Sequence, residues 1–168
     1  KVLRKKMKNT HRKKHLFKKS KLVRKEYEED KLKIESYYNT VGFRDARVAK
    51  DSIWRNGKGE IMMHLTIDEG NRYYFRNIVW KGHTLYETRF LDQVLGINKG
   101  DVFNQELLDT RLSFSQDGRD ISSLYLDNGY LFFRVDPVDT SIDNDSIDLE
   151  LRIFECPQST IDRVFIKG

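Results

Sequence analysis

The stretch Tyr125-Leu126-Asp127-Asn128-Gly129-Tyr130 decides the fold, because it has an earlier counterpart in Tyr38-Asn39-Thr40-Val41-Gly42-Phe43. Each copy is followed by an alternating apolar strand and then by a Glu-led pair, Glu69-Gly70 or Glu155-Cys156. Next comes Ile78-x-Trp80-x-Gly82 in the first case and Val164-x-Ile166-x-Gly168 in the second. The copies lie 87 residues apart at Gly42 and Gly129, and 86 apart at Gly82 and Gly168. An offset shared by several landmarks predicts two copies of one small module in tandem, and a period of this kind outranks any other reading of a chain. Both ends of the sequence are then expected to fall inside a module.

Outward from Gly129, the second module reads as β-α-α-β-β. Residues 73–80 are rich in aromatic and β-branched side chains and predict a strand. Thr84 is the expected cap of a helix to about Leu95, with Phe90, Leu91, Val94 and Leu95 on one face. Asn104 is a favourable N-cap for a second helix carrying Leu107, Leu108, Arg111 and Leu112, interrupted at Gln116-Asp117-Gly118 and resumed through Ile121, Leu124 and Tyr125. Gly129 suits the left-handed position that ends a helix. A strand is expected over 131–138, with Pro137 near its end or on an edge. A polar loop over 139–145 follows. Ile147, Leu149, Leu151 and Ile153 then alternate with polar residues, the mark of a strand with one buried face.

The first module shows the second half of the same plan. A first helix is expected over 2–8 and a second over 30–38, ending at Gly42. A strand over 46–54 and a return strand through Ile61, Met63, Leu65 and Ile67 flank the hairpin signal Asn56-Gly57-Lys58-Gly59. The expected domains are therefore 1–70, lacking its opening strand, a complete module at 71–156, and the opening strand of a third over 157–168. The fold class is α+β, each module a three-stranded mixed sheet with two helices on one face. The link from Gly70 to Tyr73 is short enough to predict a restricted orientation between modules.

Net charge is +5 over 168 residues, but its distribution is uneven. Residues 1–25 hold 13 Lys/Arg and no Asp/Glu, whereas the rest hold 18 Lys/Arg against 26 Asp/Glu. A block of this kind is a solvated helix face, or else a binder of nucleic acid or of anionic lipid headgroups. The nucleic-acid reading of 1–25 is the main alternative function; its weakness is that the charge stops at Lys25, ahead of net-acidic repeats. One cysteine, Cys156, excludes an intrachain disulfide. No apolar run approaches the length of a membrane span.

Residues suited to catalysis do not assemble. His11 and His15 share helical spacing, but Arg12, Lys13 and Lys14 between them repel a metal ion. Asp143 and Asp145 fail the spacing of a calcium loop and lack its glycine. His64 is expected on an outward strand face. Cys156 has no neighbour that lowers a thiol pKa. There is no phosphate-binding loop, dinucleotide fingerprint or nucleophile elbow. The sequence therefore predicts no enzyme, no metal site and no cofactor.

The motifs Leu124-Tyr125-x-Asp127-x-Gly129-Tyr130, Ile147-Asp148-Leu149-x-Leu151-x-Ile153-x-Glu155 and Leu95-Gly96-Ile97-x2-Gly100-Asp101-x-Phe103-Asn104, with their partners in the first copy, resemble the POTRA family (polypeptide-transport-associated domains). The resemblance covers nearly the whole chain. It implies a string of periplasmic modules on the outer membrane of a Gram-negative bacterium, ahead of a C-terminal β-barrel of the same chain. It further implies a scaffold for assembly of outer-membrane proteins. Its partners would be unfolded outer-membrane proteins and accessory lipoproteins, with no nucleic acid. In the family the strand after the helices is commonly at the sheet edge, where an extended client can add as a further strand. Here that implies Arg47, Val48 and Ala49 in the first module and Phe133, Arg134 and Val135 in the second. The pattern departs from the family at Cys156, where Gly is usual after the Glu; a positive φ there makes Cys unfavourable.

Overall fold

Ile147, Leu149, Leu151 and Ile153 are all buried, and the strand that carries them lies in the middle of a sheet. The computed structural model describes residues 2–10 and 22–167, in two units, Lys1–Arg72 and Tyr73–Gly168. The elements are α1 (Val2–Lys6), α2 (Arg24–Asn39), β1 (Arg47–Arg55), β2 (Ile61–Asp68), β3 (Tyr74–Lys81), α3 (Thr88–Leu95), α4 (Gln105–Asp109), α5 (Ile121–Leu126), β4 (Arg134–Asp143) and β5 (Ser146–Phe154).

In the second unit β5 pairs in parallel with β3 and antiparallel with β4, giving the order β3-β5-β4. Parallel neighbours need a long crossover, and α3 to α5 supply part of it. These helices set Leu91, Leu95, Leu108, Leu112, Ile121 and Tyr125 against Phe75, Trp80 and the apolar row of β5 in one core. Burying each such aliphatic side chain is worth about 1.5–3 kcal/mol, so this core holds the unit together.

The helix boundaries follow local chemistry. Asn104 caps α4 by accepting the Leu107 N–H at 2.9 Å. A π-helical turn over Thr110–Phe114 then leads to the Asp117-Gly118 break. Buried Asp120 restarts the helix, accepting from the Ser123 N–H and hydroxyl and from the Ser115 N–H. Thr84 does not cap α3. The helix begins four residues later, and Thr84 instead donates both its N–H and its hydroxyl to Glu155. Strand β4 starts and ends later than its apolar residues indicate. Tyr130 and Phe133 close a turn behind Gly129, through Tyr130 N–H to Tyr125 O and Phe133 N–H to Tyr130 O. The polar residues up to Asp143 continue the ladder with β5, because pairing satisfies their backbone whatever their side chains.

The first unit pairs β1 with β2 through a tight hairpin. The Asn56 side chain accepts from the N–H groups of Lys58 and Glu60, and Gly59 takes a φ of 76°. Its core is small: Ile34, Tyr38 and Ala46, with Leu3, Met7, Tyr37, Phe43, Leu65 and Ile67 packed around them. Buried Asp30 pins the chain after α1 by accepting the N–H groups of Asn9 and Thr10, the Thr10 hydroxyl and the Lys33 ammonium. Beyond β5, residues 157–167 carry no regular secondary structure. Among the described residues the expected opening strand there has no ladder partner, and Ile161, Val164, Phe165 and Ile166 are exposed.

Candidate functional site

A three-stranded sheet has two edges, and an edge strand presents unpaired N–H and C=O groups. The β3 edge is partly covered by its own loop. Phe75 N–H donates to Asp101 O, Gly100 N–H to Phe75 O, and Phe103 N–H to Tyr73 O. Among the described residues nothing pairs with the outer side of β4, so it is the more open edge. Pro137 lies in this strand opposite Leu151. With no N–H to donate, it fits the ladder only with its nitrogen turned away from β5. Alternation then turns the Val135 N–H to the same outer side.

The six sequence-predicted residues fare differently. Val135 packs its side chain into the core and offers only its backbone to the edge. Arg134 lies over the Phe154 ring of β5 at 4.4 Å and pairs with Asp136 at 3.1 Å. Phe133 precedes the strand and stacks on Tyr125, with ring centroids 4.0 Å apart. That stack packs the ring, partly buried, against the core. The exposed ring is Phe132, at 73% exposure, beside exposed Leu131. In the first unit Arg47 pairs with Asp68 at 3.0 Å. Val48 donates its N–H to Glu35 Oε1 at 2.9 Å, and Ala49 sits in a bulge between Val48 and Lys50. The structure thus sets Arg134 and Val135 on an open edge, while the β1 edge is already partly engaged.

The repeated Tyr and Glu of the sequence motif form a pair in both units. Tyr38 donates to Glu69 at 2.6 Å, and Tyr125 to Glu155 at 3.0 Å. Burial, reinforced by the facing carboxylate, pushes the Tyr38 hydroxyl up to about 12 and the Tyr125 hydroxyl up as well. Burial alone would raise Glu155. The Leu85 N–H, both Thr84 donors and the Tyr125 hydroxyl outweigh it and hold the carboxyl below its usual range. Glu155 therefore ties three segments together: the turn after β3, the end of α5 and the end of β5. Cys156, next to it, has a φ of 56°, in the left-handed region where its counterpart Gly70 sits at 66°.

No metal site is formed among the described residues. Asp143 at the end of β4 and Asp148 of β5 both bind Arg76, whose two-toothed contact depresses the Asp148 carboxyl. His64 is exposed. The His11/His15 pair and the rest of residues 11–21 of the basic segment lie outside the described residues. No described helix is long and apolar enough to cross a membrane.

The profile of the POTRA family, described as "Surface antigen variable number repeat", matches residues 73–156, half of the chain. The chain belongs to the POTRA family. A Treponema pallidum (strain Nichols) protein provisionally named an outer membrane protein assembly factor is 24% identical over 149 residues. That alignment covers 84% of this chain but only 17% of the relative. The POTRA3-5 crystal structure of Haemophilus influenzae BamA superposes with a TM-score of 0.59 at 16% identity, covering 94% of this chain and 61% of that one. BamA from Haemophilus ducreyi lacking POTRA domains 1-3 gives 0.58 at 17% identity, over 82% and 24%. At these identities the two structures bear on the POTRA fold alone, and the chain spans a minor part of the curated relative's length.

Proposed function

We propose that this POTRA chain is a binding scaffold in the assembly of outer-membrane β-barrel proteins, at the periplasmic face of that membrane. Its clients are unfolded barrel precursors, received by strand addition on β4. Accessory lipoproteins and a β-barrel of the same protein are its standing partners. The observation that carries this reading is the open β4 edge, in a sheet whose other edge is partly covered by its own loop. Main-chain pairing is largely indifferent to side-chain sequence, which suits a receptor for many different precursors. The name of the Treponema relative agrees with this role.

The test is Val135→Pro, which removes the N–H inferred to face outward and keeps an apolar side chain. Client crosslinking to β4 is expected to fall several-fold. Retained fluorescence of Trp80, whose indole donates to Asp92 at 2.7 Å, checks that the unit is folded. Amide exchange along β4 of the unaltered protein, with and without a precursor, gives a second measurement. Undiminished crosslinking in a folded variant, together with no client-dependent protection of β4, would count against strand addition.

A further inference from the structure

The two units treat the same edge position differently. Val48 and Val135 are 87 residues apart, the offset of the repeat, and are therefore equivalent. The Val48 N–H is taken by the Glu35 carboxylate of α2 at 2.9 Å. The residue equivalent to Glu35 is Ser122, and its hydroxyl is turned to the Ser113 hydroxyl at 3.1 Å. Among the described residues no side-chain acceptor meets the Val135 N–H. Both edge strands carry a bulge, but it follows Val48 directly in β1, at Ala49, and lies five residues beyond Val135 in β4, at Thr140. Charged side chains and bulges are recognised devices against unwanted strand pairing.

We infer that Glu35 is a latch that closes the β1 edge to added strands and leaves β4 as the edge of this pair that accepts an extended polypeptide. The chemistry is competition for one donor. An incoming strand must place a carbonyl where the Glu35 carboxylate already sits, and a neutral carbonyl is the weaker acceptor. At Val135 an incoming carbonyl displaces only water. The partner is an unfolded segment recognised by its backbone, so the inference rests on the strand-addition reading above.

The test uses the full chain with Glu35→Ala, which removes the acceptor, and Glu35→Gln, which keeps a neutral one. Amide exchange is read residue by residue, alone and with a short Lys-flanked peptide of alternating Thr and Val. In Glu35→Ala the Val48 amide is expected to exchange about tenfold faster or more, the ratio that a lost charge-assisted hydrogen bond corresponds to. The Leu65 amide on β2 should be unchanged, which shows that the unit remains folded. Glu35→Gln should fall between. The peptide should protect Val135 in all three proteins and Val48 only in Glu35→Ala. Unchanged Val48 exchange in Glu35→Ala, or equal peptide protection of Val48 in the unaltered protein, overturns the latch. Protection of neither valine in any protein overturns strand addition itself, and the exchange contrast at Val48 tells the two failures apart.

Discussion

Replacing Cys156 by Gly should stabilise the second unit. Cys156 has a φ of 56° immediately after the Glu155 hub, whereas the first copy places Gly70 there. A side chain in the left-handed region costs about 1–2 kcal/mol. Glycine removes that strain but adds freedom to the unfolded chain, an opposing term of about 0.4–1 kcal/mol. The net gain is therefore about 0.5–1 kcal/mol. Cys156 is exposed, so losing the thiol removes little packing. Urea unfolding followed by Trp80 fluorescence, in a Trp54→Phe background, isolates the second unit. With a urea slope of about 1–1.5 kcal/mol per molar for a domain of this size, the midpoint should rise by roughly half a molar. Cys156→Ala keeps the strain and should leave the midpoint in place. An unchanged or lower midpoint in Cys156→Gly, or an equal rise in Cys156→Ala, refutes the argument, because either result means that backbone strain is not what limits this position.

Gly82→Ala should destabilise the second unit by about 3 kcal/mol. Its φ is 83° and an added Cβ would lie 2.3 Å from the Ile153 carbonyl oxygen of β5; the same urea assay measures the loss. Leu151→Ala leaves a cavity in the middle of the sheet and should cost about 3 kcal/mol, whereas Leu131→Ala at an exposed site should stay within about 0.5 kcal/mol. The folded pKa of Glu155 is depressed below 4.5, so its stabilisation is complete above that pH and is lost as the pH falls through the depressed value. Glu155→Gln should lower stability at neutral pH by about 1–3 kcal/mol and flatten the acid limb of the stability curve, read by urea midpoints between neutral and acid pH.

Periodic features were legible in the sequence. The alternation from Ile147 to Ile153 marked the central strand, Asn104 marked a cap, and Asn56 to Gly59 marked a hairpin. Each is local, and each side chain acts on backbone within a few residues. What escaped were contacts that leave no periodic trace. Asp139 to Asp143 reads as loop by composition, yet the ladder absorbs it because β5 offers backbone partners. Thr84 has the chemistry of a cap, but the Glu155 carboxylate, 71 residues away, competes for it. Phe132 and Phe133 are adjacent and alike in the sequence; the stack on the Tyr125 ring, which no local pattern marks, turns Phe133 inward and leaves Phe132 exposed. The Glu35 contact with Val48 joins a helix to a strand across 13 residues, and nothing in the local spelling of either segment announces it.

The Tyr–Glu pair has a consequence for how such a chain evolves. Tyr38 meets Glu69 and Tyr125 meets Glu155, so each fastener begins and ends inside its own copy. A recombination event that adds or deletes one whole period therefore orphans neither carboxylate and leaves no phenol without its acceptor. The length of the array can drift by integral copies while every remaining member keeps its own closure.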